Sequence, residues 1–156
     1  MSCGPTKRHA CRKVDFRLHP TVVYHPLPAW DYLDLSSRDD VYFIINRILR
    51  PLASTEAQKA YALMLDAAKD HGCQYWLIDL RRDISFRPEL LTTFFPQPGD
   101  QPGKLTYLAY LVSPMLLAEL ENQGNLPVPG DYDKLPFRAE LFVDELAAQE
   151  WLLAHN

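Results

Sequence analysis

The chain has few of the residues that build nucleotide cradles or disulfide frameworks. It carries six glycines in 156 residues, and none forms GxGxxG or a P-loop after an apolar run, so glycine-rich phosphate cradles are excluded. Its three cysteines, Cys3, Cys11 and Cys73, are odd in number and widely spaced, which reads as free thiols. No run approaches the roughly 20 apolar residues needed to cross a bilayer. The basic N-terminus has no apolar core behind it and does not read as a secretory signal. The expectation from these absences is a cytoplasmic protein with no membrane partner.

What is present is ordinary for a globular domain: 47% hydrophobic and 23% charged residues, in a length that suits one domain with a substantial core. The net charge of −4 argues against general nucleic-acid binding. The charge is uneven, because Lys7, Arg8, Arg12, Lys13 and Arg17 face only Asp15 within residues 1–20. Residues 1–13 read as a flexible basic leader, and residues 14–156 as a single α/β domain.

The segments Val14 to Leu18 and Val22 to His25 each suit a first edge strand, and Trp30 to Asp40 reads as a turn-rich connection. Val41 to Leu49 is dense in β-branched and aromatic residues and predicts a strand, closed by Pro51. Thr55-Glu56-Ala57-Gln58 matches a capping box. The helix behind it shows Tyr61, Met64, Leu65 and Ala68 on one stripe and stops at Gly72. Tyr75 to Arg81 follows as a nearly continuous apolar run, the mark of a buried central strand. Strand, capped helix and strand make a βαβ unit with parallel strands.

Further along, Phe86 to Phe95 predicts a short helix, Leu105 to Val112 a buried strand and Pro114 to Glu121 a helix. Phe137 to Val143 predicts a last strand, and Asp144 caps a terminal helix whose apolar face is Leu146, Ala147, Trp151 and Leu152. The fold class expected is α/β, a mixed β-sheet of about four to five strands with helices packed mainly on one face.

Cys73 sits two residues from His71, but it precedes a buried strand and lies near Asp70, a setting that raises a thiol pKa. Cys3, His9 and Cys11, with His71 or Cys73, lack the paired close spacing of a structural zinc site. Asp79 and Asp83 flank Arg81 and Arg82, so ion pairing fits better than acid–base work. No catalytic set, cofactor site or metal site is expected. Tyr24, Trp30, Tyr32, Tyr42, Phe43, Tyr75, Trp76, Tyr107 and Tyr110 are numerous, and several could line a pocket for a small apolar ligand, though aromatics on strands more often form plain core.

The stretches Tyr75 to Arg81, Leu105 to Ser113 and Phe142 to Leu152, within a match over roughly residues 22–153, resemble the STAS-like proteins, relatives of anti-sigma-factor antagonists and especially small stand-alone bacterial versions. The resemblance implies a mixed sheet with helices on one face and a role in binding. In the antagonist branch a serine at the start of the helix after the central strand is phosphorylated, adding about two negative charges at the contact surface. This sequence departs from that pattern: Leu80, Arg81 and Arg82 follow Asp79 without an Asp-Ser-Gly-like turn, and Ser85 is the nearest hydroxyl.

The function expected is a non-enzymatic STAS-like interaction domain in cytoplasmic signalling or regulation. A protein partner would meet Asp79, Arg81, Arg82, Asp83 and Ser85, at the carboxyl end of the central strand where open α/β sheets bind their ligands. The alternative is a carrier of a small apolar ligand in an aromatic-lined pocket. A homodimer is left open.

Overall fold

The computed structural model describes residues 24–26, 30–38, 43–83, 92–123 and 135–156. Six strands form one sheet whose spatial order follows the chain: β1 (Tyr24–Pro26), β2 (Leu33–Arg38), β3 (Ile44–Ile48), β4 (Tyr75–Asp79), β5 (Thr106–Leu111) and β6 (Phe137–Phe142). The first two pairings are antiparallel and the last three parallel. The described helices are α1 (Ser54–Asp70), α2 (Pro114–Gln123) and α3 (Glu145–Ala154). This is the mixed-sheet α/β class read from the sequence, with β1 overlapping the edge strand expected at Val22 to His25 and β2 added as a strand beyond the four to five expected.

Sequential order decides where the helices go. Each parallel step from β3 to β6 moves the same way across the sheet, so crossovers of one hand deliver their helices to one face. There α1 and α2 pack with Phe94 on Ile44, Ile48, Trp76, Ile78, Leu108 and Tyr110. The opposite face is covered by α3, whose Ala148 and Leu152 lie on Phe43, Ile45, Leu77, Ala109 and Leu111. Strands β3 to β5 are thus buried on both faces, which is why their sequences are apolar at odd and even positions alike.

Several segments differ from the sequence reading. The segment Trp30 to Asp40, expected to be a turn-rich connection, contains β2. Its serines and aspartate read as loop, but Leu33 and Leu35 alternate inward and pair with Ile48 and Asn46 of β3. Helix α1 begins at Ser54 rather than behind a Thr55–Gln58 box. Glu56 Oε1 accepts a hydrogen bond from Ala53 N at 3.1 Å, which leaves Thr55 and Gln58 exposed on the first turn. The buried stripe of α1 is Ala57, Ala60, Met64 and Ala68, and its small residues let the helix lie close to the sheet. Gly72 ends the helix at φ 59°, a left-handed conformation that costs glycine little.

The segment Val14 to Leu18 and residues 86–91 of the expected Phe86 to Phe95 helix lie outside the described residues, and Thr92–Phe94 form a short 3-10 turn. In the terminal helix Asp144 caps as expected, its Oδ1 accepting from Leu146 N at 2.9 Å. The apolar face agrees with the sequence reading at Leu152 and Trp151 and differs from it at Leu146. Ala148 and Leu152, one turn apart, meet the sheet, while Leu146 is two residues from Ala148 and points to solvent. Trp151 lies at the side of this contact, edge-on to Tyr107 with centroids 6.1 Å apart.

Register matters in β3, where polar residues occupy both faces. Asn46 lies on the α1 side, and its Nδ2 donates to Leu77 O at 3.1 Å, while its buried Oδ1 has no hydrogen-bond partner among the described residues. A one-residue slip would exchange Asn46 and Arg47 between the two faces, driving a guanidinium under α1.

Replacing Leu152 by alanine is expected to lower the unfolding free energy by about 2–5 kcal/mol. Leu146→Ala should change it by less than about 0.5 kcal/mol. Chemical denaturation of both variants checks this, and equal losses would contradict the seating of α3.

Candidate functional site

Strand β4 ends in a tight turn at the carboxyl edge of the sheet. Leu80 N donates to Leu111 O at 2.9 Å, and Asp83 N donates back to Leu80 O at 3.2 Å. Leu80 is thereby drawn into the core and Arg81 and Arg82 are lifted outward. Strand alternation aims Asp79 at the α3 face, opposite Arg47 in the parallel register with β3.

Four side chains close into a network around that carboxylate. Arg47 Nη1 donates to Asp79 Oδ2 at 2.8 Å. Arg81 grips the same group through its backbone N (3.1 Å) and Nε (3.0 Å) on Oδ1 and its Nη2 (2.9 Å) on Oδ2. Glu145, the first residue of α3, accepts from Arg47 Nη2 at 2.6 Å and Nη1 at 3.1 Å, and from Arg81 Nη2 at 3.2 Å. The paired forks of Arg47 and Glu145 give a geometry that a lysine would not reproduce. Two positive and two negative groups leave the cluster close to neutral.

Burial would raise the pKa of Asp79, which is 3% exposed, but the hydrogen bonds and charge of Arg81, joined by Arg47, outweigh it and hold the carboxyl below its usual value. Hydrogen bonding from Arg47 holds Glu145 down against a smaller opposing effect of burial. Both arginines are correspondingly raised, Arg47 chiefly by Glu145 and Arg81 chiefly by Asp79. All four therefore stay charged, and neither carboxyl is set up to deliver a proton near neutral pH.

The other residues picked out in sequence go different ways. Asp83 was expected at the surface beside Asp79. It is 4% exposed, and its Oδ2 accepts from Leu52 N at 3.3 Å, pinning the β3–α1 connection. The two aspartates thus shape the corner from inside. Arg82 is exposed and makes no ion pair among the described residues. Nearby Arg50 is fully used, on Glu56 at 2.6 Å, on Asp31 at 3.1 Å and over the Tyr32 ring. Ser85 lies outside the described residues, as do Cys3, His9 and Cys11.

Arg47 and Glu145 were not singled out in sequence. Arg47 is the lone cation in an apolar strand, a signal that it needs a buried or half-buried anion. Glu145 was hidden by its place behind the capping Asp144. The two lie 98 positions apart, and only the sheet register brings them together.

Cys73 is buried, with Sγ donating to Tyr75 O at 3.1 Å, and burial pushes its thiol up to about 11. The cause is burial rather than the neighbouring Asp70, and the thiol is inert as a nucleophile at neutral pH. No group of three or more metal-ligating side chains is arranged to hold an ion among the described residues. Trp76 and Tyr110 are packed in the core, with Trp76 Nε1 donating to Cys73 O and Tyr110 Oη to Phe94 O. An open groove of about 260 Å³ runs between β2 and α1, where Trp30, Leu35, Leu63 and Ala67 meet Asp66, Asp70 and His71.

The fold and corner define a mixed-sheet α/β domain with an ion-paired carboxyl edge. No family model, curated protein or solved structure matches the chain. Among the described residues, no helix is long and apolar enough to cross a membrane.

Arg47→Ala is expected to destabilise the protein by about 2–3 kcal/mol, because Asp79 keeps its burial and loses a cation. Both carboxyls titrate lower in the folded protein than their ordinary values of 3.8 and 4.5. Their stabilisation is therefore complete above those values and lost as pH falls through the lower folded ones. Thermal melts between pH 6 and 2 should show that acid sensitivity, and Asp79→Asn should flatten it. An unchanged slope in Asp79→Asn would contradict the network's role.

Proposed function

We propose that this chain is a non-enzymatic, STAS-like interaction domain that binds a protein partner in cytoplasmic signalling or regulation. The observation carrying this reading is the state of Arg82: exposed, without an ion pair among the described residues, and set on a turn held rigid from below by Asp79 and Asp83. A rigid turn presents its cation at little entropic cost, which favours recognition of an anionic group on a partner. The mixed sheet with two of its described helices on one face also fits the architecture that the resemblance implies. Arg81 belongs to the internal network, so the contact falls on Arg82.

The apolar-ligand reading has the β2–α1 groove in its favour. At about 260 Å³ the groove is smaller than the roughly 300–1,000 Å³ of typical ligand pockets, and Trp30 is the one aromatic among its lining residues. Partner binding is the stronger reading.

Crosslinking capture with the tagged full chain tests it. A specific protein should be captured by the wild type and by Arg82→Lys, and lost with Arg82→Glu, while the melting temperature is unchanged. Equal capture by all three proteins would remove the corner as the contact.

A further inference from the structure

The groove between β2 and α1 has a chemistry of its own. Its apolar walls are Leu35 from the strand, Leu63 and Ala67 from the helix, and the side chain of Trp30, which is 47% exposed. Asp66 and Asp70 stand on the same lining, one helical turn apart on α1 and both exposed. At about 260 Å³ the space is too small for a drug-sized molecule and suits a smaller one.

The charge of this groove is negative. No lysine or arginine belongs to its lining, and neither aspartate makes an ion pair among the described residues. Carboxylates one turn apart on a helix repel each other. Asp70 also stands in the last turn of α1, where the helix dipole is itself negative. The lysines of this helix lie off the groove. Lys69 is about 60° round the axis from Asp66, on the side away from Leu63, and Lys59 is about 10 Å along the axis from Asp66. Near Trp30, Arg50 sits over the Tyr32 ring and is matched by two carboxylates, Glu56 and Asp31, so that group too is negative overall.

A phosphate or carboxylate ligand would be repelled here, and an apolar wall does nothing for a bare metal ion. A molecule with an apolar body and one positive charge matches both features. Its body covers the leucines and Ala67, and its charge relieves the repulsion between the aspartates. An indole face attracts cations as well as apolar groups. We infer that this groove binds a small organic ammonium ion, an amine on an aliphatic or aromatic body. The site shares no residue with the Arg82 turn, so it goes beyond the proposed partner contact and stands or falls apart from it.

Nuclear magnetic resonance titration of the full chain tests this at a pH of about 8, where an ordinary histidine such as His71 on the lining is neutral. The probe is 2-phenylethylammonium, with neutral 2-phenylethanol as its match in size. The ammonium should shift the Trp30 indole N–H and the amides of Leu63, Ala67 and Asp70. It should bind about tenfold or more tightly than the alcohol. The double variant Asp66→Asn, Asp70→Asn should lose about tenfold in affinity and Trp30→Leu about threefold, while Arg82→Glu leaves it unchanged. The melting temperature of each variant checks that the fold is kept.

Equal affinity for the ammonium and the alcohol would overturn the charge assignment and give the groove to a neutral apolar ligand. Shifts confined to the aspartates and insensitive to Trp30→Leu would reduce the contact to surface ion pairing and overturn the site. No saturable shift up to about 10 mM probe would overturn it as well. Binding that tightens about tenfold in the variant Lys7→Ser, Arg8→Ser, Arg12→Ser, Lys13→Ser would make the chain's own basic residues the occupant and overturn the small ligand.

Discussion

A carboxylate buried at the end of a central strand has to be met by cations, and the way Asp79 is met organises the surrounding fold. Arg47 reaches it from the neighbouring strand and Arg81 from the turn that follows, with contacts of 2.8 to 3.1 Å. Each arginine then has donors left over, and these converge on Glu145 at the start of α3. One buried group thereby links two strands, a turn and a helix that are far apart in sequence. Removing any member strands a charge, so the cluster acts as a unit.

The dependence is strongest for α3. A ten-residue helix is marginal by itself in water, and this one covers a sheet face with few buried side chains of its own, Ala148 and Leu152. It is held at both ends instead. Glu145 binds the arginines at the carboxyl edge, and at the opposite edge Tyr75 Oη donates to His155 O at 2.9 Å while Tyr107 packs against Trp151 and His155. The α1 face is built differently, from alanines spaced to let a long helix lie flat on the sheet. Polar anchoring on one face and close apolar packing on the other are two solutions to covering the same strands.

The same economy shapes the exposed edge. Because the network satisfies its own charges, it presents little net field to solvent, and what it leaves exposed at the carboxyl edge is Arg82 with Met115 and Leu146 near the starts of α2 and α3. Asp79 and Asp83 brace the turn from beneath, through the backbone N–H groups of Arg81 and Leu52. Burial of the Cys73 thiol and the charged state of both network carboxyls remove the described residues' clearest candidates for nucleophile and acid.

Local pattern determined a good deal of this protein. The apolar density of β3, β4 and β5, the left-handed stop at Gly72 and the Asp144 cap follow from interactions within a few residues, so they can be read from the chain. The parallel βαβ unit follows from their order. Strand β2 escaped because its two inward leucines sit among serines and aspartate, and only pairing with β3 makes that alternation decisive. The seating of α3 escaped because Leu146 and Leu152 are equally apolar, and the choice depends on how the helix meets the sheet. At the corner, the sequence pointed to ion pairing of Asp79 and Asp83 with Arg81 and Arg82, but could not show that only Arg81 pairs with Asp79, that Asp83 turns inward, or that Arg47 and Glu145 complete the cluster. Those contacts depend on strand register and on elements 98 residues apart, and such distances are closed by packing alone.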